Sequence, residues 1–301
     1  MDKLLNLSLT KINATAPTFV RDSIVWLEQK ARLIGIKGQR GVGKTTLLLQ
    51  YLKCQPDYHT HALYISADNL WFANHSIYEL AEAFSMRGGK ILAIDEVHKY
   101  TNWASELKLI YDDFPSLKVV FTGSSLLEIL NARADLSRRA IVHTMQGFSF
   151  REFLSVETDL RLPALQLTDI LKNHISLARD IIRQIKVFAY FDKYLKYGYY
   201  PFYLESDLLY EHKLQEIINM ILEVELPLLH NIDLTYSQKL KQLLIILAET
   251  VPFVPNLTKL SERIGISRNT FMHYIYYLNE ACLLNNIYKI GQGISKLQKT
   301  G

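Results

Sequence analysis

The chain contains little cysteine and has no long uncharged apolar run. Its 301 residues include only two cysteines, Cys54 and Cys282. Two such distant thiols exclude a disulfide framework and a four-ligand zinc site, and they predict a reducing, cytoplasmic setting. The N-terminal residues Met1–Ser8 lack the apolar core of a signal peptide. The apolar stretch Leu243–Ala248 stops at Glu249, far short of the about 18 residues typical of a membrane span, so no membrane association is expected.

No charge of one sign dominates the composition. Lysine and arginine number 34 against 30 aspartate and glutamate, and 49% of the residues are hydrophobic and 21% charged. These values exclude a disordered or fibrous chain, and the length favours two compact domains. Residues 237–301 hold 8 basic and 3 acidic side chains, whereas residues 1–236 hold 26 and 27. The C-terminal segment therefore has the charge of an appendage that faces nucleic acid.

The first half of the chain alternates short apolar runs with helical spacing, which predicts an α/β fold built on a parallel sheet. The predicted strands are Arg32–Lys37, Ala62–Ser66, Ile91–Asp95, Leu117–Thr122 and Ala140–Thr144. The predicted helices are Pro17–Lys30, Lys44–Lys53, Ser76–Met86, Trp103–Phe114 and Ser125–Asn131. Strand signals vanish beyond this region. We therefore divide the chain into a core (1–148), a helical subdomain (149–236) and a third segment (237–301), in which helices precede a β-rich tail.

A phosphate-binding loop is the strongest motif in the chain. The run from 38 to 45 matches G-x-x-x-x-G-K-[ST] between a predicted strand and a predicted helix, as the motif requires. Glycines let backbone N–H groups curl toward phosphate oxygens, and the helix N-terminus adds its dipole. We expect Lys44 to bind the β- and γ-phosphates and the Thr45 hydroxyl to ligate Mg²⁺. The predicted nucleotide-binding residues are Gly38, Gln39, Arg40, Gly41, Val42, Gly43, Lys44, Thr45 and Thr46.

Two carboxylates follow one another at the end of the predicted strand Ile91–Asp95. We expect Asp95 to hold Mg²⁺ through its water shell and Glu96 to orient and polarise the attacking water as a general base. One strand, Ala62–Ser66, lies between this motif and the loop. That spacing is typical of P-loop proteins with a strand inserted between the loop strand and the Asp-Glu strand.

Small hydroxyl residues end the next predicted strand. Ser124, with Thr122 as the alternative, is predicted to lie beside the γ-phosphate and the attacking water. These residues could instead cap the following helix, since serine favours that position. Before the fifth strand, Arg139 is predicted to reach a neighbouring subunit's nucleotide and to stabilise the transition state. A surface pair with Arg138 that lacks such a role is the alternative.

Three runs resemble a family of prokaryotic AAA-type ATPases whose members are commonly known only as ATP-binding proteins. They are Asp95–Trp103, Phe121–Ser125 and Gly147–Leu154, and the resemblance covers roughly residues 15–290. The resemblance implies a five-stranded, AAA+-like P-loop core, a helical lid and a winged-helix domain. It also implies loop-lysine, magnesium and water-activating roles for Lys44, Thr45, Asp95 and Glu96.

The chain departs from the pattern of this family in two places. Arg138 stands where the family usually has a glycine before the arginine that corresponds to Arg139. Family members also usually extend by about a further domain, often of nuclease-like fold. The resemblance therefore implies that a nuclease-like C-terminal region is missing here.

The segment Leu257–Thr270 has the spacing of a helix-turn-helix. Leu260 and Ile264 lie one turn apart on the inner face of the first helix, Gly265 permits the tight turn, and Ser267 caps the second helix. The outward residues of the second helix are Arg268, Asn269 and His273, which could read a DNA major groove. The alternative is a module that contacts protein and supports self-association.

Three further features of the sequence are less specific than the motifs above. The aromatic segment Val187–Tyr203 is interpreted as packing of the helical subdomain, with stacking on single-stranded bases as the alternative. Phe19 and Arg21 are predicted to line an adenine pocket. His98 is expected to make a structural hydrogen bond, with nucleotide sensing as the alternative.

These features together predict an Mg²⁺-dependent ATPase of AAA+-like type, in which ATP hydrolysis drives or gates a conformational change. ATP and Mg²⁺ are the expected ligands, and a nucleotide-dependent homo-oligomer and DNA are the possible partners. The alternatives are a nucleotide-gated DNA-binding regulator and a self-associating signalling ATPase with little turnover. The Asn-Lys-x-Asp signature of guanine recognition is absent from the sequence.

Overall fold

A computed structural model describes residues 1–16, 19–123, 136, 138–227, 234–249 and 256–287. The chain divides into two compact units, Met1–Ile217 and Ile218–Gly301. Within the described residues, no helix is both long enough and apolar enough to cross a membrane.

A five-stranded parallel sheet forms the centre of the first unit. Its strands are β1 (Leu33–Lys37), β2 (Ala62–Ser66), β3 (Ile91–Asp95), β4 (Lys118–Gly123) and β5 (Ala140–Thr144). Their order across the sheet is β2-β3-β4-β1-β5, and every neighbouring pair is parallel. The predicted α/β class and the five predicted strands are therefore confirmed. Because the strands are parallel, the loops that follow β1, β3 and β4 meet at one edge of the sheet.

Helices accompany the strands of this sheet. They are α1 (Asp2–Ala14), α2 (Lys44–Lys53), α3 (Tyr58–His61), α4 (Ile77–Met86) and α5 (Trp103–Asp113). Helix α4 begins at a capping box in which the Ser76 hydroxyl accepts from the Glu79 N–H and the Glu79 carboxylate accepts from the Ser76 N–H. The predicted helix over 17–30 is wrong for its described residues, where Arg21 is extended and Asp22–Trp26 forms a short 3₁₀ helix.

Each face of the sheet contributes to its own hydrophobic cluster. Leu33, Val119 and Phe121 pack on one face with α4 and α5, whereas Ile34 and Val120 pack on the other with α2. All five side chains are almost fully buried. Successive strand residues point to opposite faces, so the apolar runs of the central strands fill both clusters. Each such side chain stabilises the fold by roughly 1.5–3 kcal/mol relative to an exposed position.

The outer edge of β2 is covered by α1. The Ser8 hydroxyl on α1 accepts from the Tyr64 N–H at 2.8 Å, and the Lys11 ammonium lies 4.9 Å from the centre of the Tyr64 ring. An uncovered edge strand would leave its outward N–H groups available for pairing with another chain. Helix α1 therefore closes this edge of the sheet.

The rest of the first unit is helical, as the spacing predicts. Its helices are α6 (Phe150–Thr158), α7 (Leu167–Gln184), α8 (Val187–Lys193) and α9 (Tyr210–Met220), and α9 continues into the second unit. A π-helical turn at Tyr194–Gly198 and a 3₁₀ turn at Pro201–Leu204 separate α8 from α9. The division of the chain into a core, a lid and a winged helix stays a prediction.

The second unit contains a helix-turn-helix. Its helices are α10 (Leu234–Ala248), α11 (Leu257–Ile264) and α12 (Arg268–Glu280). Gly265 has a φ of +69° in the turn, where a side chain would be strained. The Ser267 hydroxyl caps α12 by accepting from the Thr270 N–H at 3.1 Å. No strand occurs among the residues of this unit that the structure describes, and the end of the expected β-rich tail lies outside them.

Candidate nucleotide-binding site

The phosphate-binding motif forms the turn between β1 and α2. Gly41 and Gly43 have φ values of +79° and +94°, in the region that favours glycine. A Cβ atom on Gly38 would lie 2.2 Å from the Met145 carbonyl oxygen, so only glycine fits there. The backbone can therefore curl tightly in front of the α2 N-terminus, which is the geometry that binds anions.

Lys44 is folded back onto this loop. Its Nζ atom donates to the carbonyl oxygens of Gly38 and Gln39, at 2.7 Å in each case. The side chain is buried, and only 8% of the residue is exposed. Its ammonium group is thus held at the loop, where a phosphate oxygen could replace a carbonyl as its acceptor.

Asp95 is the centre of a hydrogen-bond network at the end of β3. Its Oδ2 atom accepts from the Thr45 hydroxyl at 2.6 Å and from the Tyr64 hydroxyl at 2.9 Å. Its Oδ1 atom accepts from the Thr122 hydroxyl at the end of β4. Burial and the adjacent Asp95 carboxylate raise the pKa of Tyr64 far above its ordinary value, so the phenol stays protonated and donates.

Glu96 follows in an unusual backbone conformation. Its φ and ψ are 52° and 45°, in the left-handed region that a residue with a side chain seldom adopts. Its N–H donates to the Thr122 hydroxyl oxygen at 3.1 Å. Such a conformation costs about 1–3 kcal/mol and persists where the surrounding structure holds it. Thr122 therefore connects the two carboxylate residues, because its hydroxyl donates to the Asp95 side chain and accepts from the Glu96 backbone N–H.

The loop and both carboxylates line one cavity of about 520 Å³, a volume that suits a small-molecule ligand. Its polar lining includes Arg40, Lys44, Thr45, Thr46, Gln50, Asp95 and Glu96. Its apolar lining includes Ala16, Phe19, Leu47, Phe148, Pro201, Phe202 and Leu204. One part of the cavity is thus suited to an anion and another to a flat apolar group.

Comparison with known proteins agrees with this geometry. Residues 30–154 match the family model of an AAA domain, and residues 189–300 match a domain of unknown function, DUF8612. Residues 30–154 are an AAA-type P-loop domain. Such a domain supports a nucleotide-binding, ATPase-like function.

The chain as a whole is similar to an archaeal protein. The chain is 29% identical over 289 residues to the uncharacterized protein MJ1637 of Methanocaldococcus jannaschii. The match covers 90% of this chain but only 60% of that relative.

Two solved structures are similar at 15% identity. AMPPCP-bound DnaA from Aquifex aeolicus has a TM-score of 0.36, with 94% of this chain and 90% of that chain covered. The Walker-type ATPase Paby2304 of Pyrococcus abyssi has a TM-score of 0.42, with 87% and 89% covered.

Phe19 lies in the apolar wall of this cavity. The Gln50 amide of α2 donates to the Phe19 carbonyl at 2.7 Å, and the Phe19 ring meets the Phe148 ring edge-on at 5.5 Å. Phe19 and Arg21 line the cavity as predicted, although the adenine that they were expected to contact stays a prediction. Helix α2 therefore positions both the loop and the wall.

The structure contains a buried ion pair next to the loop that the sequence analysis did not predict. Arg21 and Glu152 meet at 2.8 Å, and each side chain is only 11% exposed. Burial alone would raise the pKa of Glu152, but hydrogen bonds from Arg21 and Ser149 outweigh burial and lower it. The Ser-x-x-Glu pattern at 149–152 could have indicated a capping box, but not its distant partner.

The aromatic segment also reaches the loop of the AAA domain. The Tyr200 hydroxyl donates to Gln39 Oε1 at 2.8 Å, and an added Cβ on Gly41 would lie 2.8 Å from the Phe202 ring. Tyr200, Phe202 and Tyr203 are buried, whereas Phe188 is 83% exposed. The segment thus packs as predicted in its last part, and Phe202 in addition lines the cavity, which the sequence did not indicate.

Three further predictions concern Ser124, Arg139 and His98. Ser124, and with it the helix predicted at 125–131, falls outside the described residues. Arg139 precedes β5 at the amino-terminal edge of the sheet, opposite the loop, and pairs with Asp112 of α5 through two hydrogen bonds of 2.9 and 2.8 Å. Burial, with help from Lys99, lowers the pKa of His98 to about 4, so this imidazole is neutral at pH 7.

The three outward residues predicted for α12 are exposed in the second unit. They are Arg268, Asn269 and His273. Tyr274 and Leu278 of the same helix are buried. The helix therefore presents the expected face to its surroundings.

Proposed function

We propose that this chain is an Mg²⁺-dependent ATPase that binds ATP in the cavity of its AAA domain and uses hydrolysis to drive or gate a conformational change. One observation carries the proposal. Lys44 and Thr45 at the start of α2 line the same cavity as Asp95 and Glu96 at the end of β3. Phosphoryl transfer to water requires a phosphate cradle, a cation site and a base in one place.

The loop residues bind the phosphates in this proposal. Backbone N–H groups from Gly38 to Thr46 face the phosphate oxygens, and the α2 dipole favours their negative charge. Lys44 exchanges its carbonyl acceptors for oxygens of the β- and γ-phosphates. A charge-assisted hydrogen bond to phosphate is stronger than one to a neutral carbonyl, so the exchange is favourable.

The donors beside the loop fit Mg²⁺. The Thr45 hydroxyl and the Asp95 carboxylate lie 2.6 Å apart, and both are the hard oxygen donors that this ion prefers. Held by these two residues, the ion would supply positive charge that stabilises the phosphate groups. Tyr64 and Thr122 hold the Asp95 carboxylate in place, so the carboxylate is already oriented before a ligand binds.

Glu96 activates the water. Its carboxylate accepts a proton as the water oxygen bonds to the γ-phosphorus, and the bond from that phosphorus to the bridging oxygen breaks to release ADP. Thr122 holds the Glu96 backbone, and Ser124 contacts the γ-phosphate. Arg139 acts on the nucleotide of a neighbouring copy, because it lies at the opposite edge of its own sheet.

The base lies against the apolar wall. Phe19, Phe148 and Phe202 present aromatic surface to a purine. We assign adenine because the sequence lacks the guanine-recognition signature and resembles ATP-binding proteins.

Two substitutions separate binding from chemistry. Lys44→Ala removes the phosphate-binding charge and is expected to abolish ATP binding, whereas Glu96→Gln keeps binding and suppresses phosphate release by at least about 100-fold, within the range of general-base effects. Bound ATP is measured by equilibrium dialysis and released phosphate by a coupled assay. The matched controls are Lys172→Ala and Glu216→Gln, at exposed positions of α7 and α9. Equal phosphate release from Glu96→Gln and the parent protein would exclude Glu96 from the mechanism.

A nucleotide-gated DNA-binding regulator is the second candidate, and the exposed face of α12 favours it. Arg268 and Asn269 lie at the start of that helix, in a segment with a net charge of +5. In this candidate, duplex DNA binds with an affinity that falls as salt rises and that Arg268→Ala weakens. Gel-filtration sizing with ADP, ATP and a non-hydrolysable analogue, with and without DNA, distinguishes the candidates. Assembly that depends on ATP without DNA binding supports a self-associating ATPase.

A further inference from the structure

Arg21 uses every hydrogen-bond donor that its guanidinium possesses. Its Nε atom donates to Glu152 Oε1 at 2.8 Å. One terminal nitrogen donates to the carbonyls of Val42 at 3.0 Å and Gln146 at 2.8 Å. The other donates to the Gly147 carbonyl at 2.8 Å and to Glu152 Oε2 at 3.0 Å. Since an arginine has five N–H donors, none remains for a ligand.

The acceptors belong to three separate segments of the first unit. Val42 lies in the phosphate-binding loop, Gln146 and Gly147 follow β5, and Glu152 lies in the first turn of α6. Only a planar, forked cation can reach all of them at once, because a lysine has three donors on one atom. Arg21 therefore holds the phosphate-binding loop against the segment 146–152 that follows β5.

Glu152 is itself held from the other side. Its Oε2 atom accepts from the Ser149 N–H at 2.9 Å and from the Ser149 hydroxyl at 3.0 Å. Arg21 also lies over the Phe148 ring, with 5.2 Å from the guanidinium carbon to the ring centre. The carboxylate thus has a defined position, and the ion pair has little freedom to rearrange.

The same connection continues into the aromatic segment. The Phe148 N–H donates to the Tyr199 carbonyl at 2.7 Å, and the Tyr194 hydroxyl donates to the Phe148 carbonyl at 2.7 Å. Tyr200 then returns to the loop through its hydrogen bond to Gln39. The contacts form a closed circuit from the loop through Arg21 and Phe148 to the aromatic segment and back to the loop.

We propose that Arg21 is a positioning residue for nucleotide binding, which acts through the Val42 carbonyl and Glu152 and does not contact the nucleotide. It holds the phosphate-binding loop in its curled form and keeps Phe148 in the wall of the cavity. This inference rests on the proposed function, since it assigns Arg21 to the same site. Loss of Arg21 weakens ATP binding more than it slows the chemical step, because Asp95 ends β3, Glu96 follows it, and both keep their partners outside the loop, Tyr64 and Thr122.

The test uses the full chain with four variants: Arg21→Gln, Arg21→Lys, Glu152→Gln and the double variant Arg21→Gln/Glu152→Gln. Arg151→Gln is the matched control, since it breaks a neighbouring ion pair with Asp22 that is more exposed, at 32% for Arg151 and 71% for Asp22. We expect Arg21→Gln to raise the KM for ATP at least about tenfold and to change kcat less than about threefold. Arg21→Lys is expected to lie between the parent and Arg21→Gln. The double variant is expected to bind about as weakly as Arg21→Gln, because the two residues act as a unit.

Hydrogen exchange of the nucleotide-free protein gives a second readout that does not depend on ATP. Arg21→Gln is expected to increase exchange at the amides of residues 41–47, with β3 amides unchanged, and Arg151→Gln is expected to leave both unchanged. An unchanged KM with a lowered melting temperature would make Arg21 structural only and overturn the proposal, as would unchanged exchange at the loop. If the parent protein binds no ATP, the proposed function is contradicted. If Arg21→Gln nevertheless increases amide exchange at residues 41–47, the coupling of Arg21 to the loop still holds.

Discussion

Replacing Thr122 with valine removes one hydroxyl group and keeps the shape of the side chain. Thr122 is fully buried at the end of β4. Its hydroxyl donates to Asp95 and accepts from the Glu96 N–H. Thr122→Val therefore removes a hydrogen bond to a carboxylate and leaves a partly buried N–H without its partner, while the β-branched shape is retained.

The expected loss of stability follows from these two contacts. A hydrogen bond to a charged group contributes about 1.5–3 kcal/mol, and an unsatisfied buried donor costs about 1–3 kcal/mol. The additional methyl group offsets about 1 kcal/mol of this loss through its apolar burial. We expect the free energy of unfolding to fall by about 3 kcal/mol. We also expect phosphate release to fall at least about tenfold, because the left-handed backbone of Glu96 loses its partner.

Tryptophan fluorescence in urea measures this effect in the relevant unit. The chain has three tryptophans, Trp26, Trp71 and Trp103, and all lie in the unit Met1–Ile217. Trp103 packs on Phe121, with 5.7 Å between ring centres, so its emission reports on the core beside Thr122. The free energy is taken from the transition midpoint and slope.

Thr122→Ser is the control, because it keeps the hydroxyl and removes only a methyl group. It should retain most of the phosphate release and lose about 1 kcal/mol of stability from the missing methyl. A Thr122→Val protein within about 0.5 kcal/mol of the parent, with normal phosphate release, would refute the assignment of Thr122 as the link between the two carboxylates.

Two further outcomes follow from the same site. Gly38→Ala places a Cβ atom 2.2 Å from the Met145 carbonyl, so the loop must move, and we expect ATP binding measured by equilibrium dialysis to be lost. The folded protein holds the pKa of Glu152 below its ordinary value, so the ion pair with Arg21 stabilises the fold fully above the unfolded pKa of about 4.5 and progressively less as the pH falls through the lower folded value. The difference in unfolding free energy between the parent and Glu152→Gln, measured from pH 7 to pH 3, should therefore be constant near neutrality and shrink in acid; a difference that grows in acid would contradict this sign.

The local elements of the chain could be predicted where each has a short-range cause. The apolar runs at 91–95 and 117–122 match buried parallel strands to within one residue. The loop at 38–45 has Gly41 and Gly43 where the backbone turns to positive φ. The Ser267 cap and the Gly265 turn likewise depend on the residues beside them.

The wrong helix over 17–30 has a tertiary cause. Arg21 would be a good helix former by its own preference. In the folded chain, however, it is extended so that its guanidinium reaches acceptors more than 20 and more than 120 positions away. Five hydrogen bonds in a buried site outweigh a propensity of a few tenths of a kcal/mol.

The sequence by itself determined the parallel-sheet architecture, the phosphate-binding loop and the identity of Asp95 and Glu96 as candidate site residues. Each of these depends on spacing within about ten residues, which periodicity and turn chemistry express directly. Only the tertiary structure decided that Tyr64 and Thr122 hold Asp95, that Phe202 lines the cavity, and that Arg21 meets Glu152. These contacts join residues that lie 27 or more positions apart, and which polar groups meet across such a distance is set by the packing of whole strands and helices.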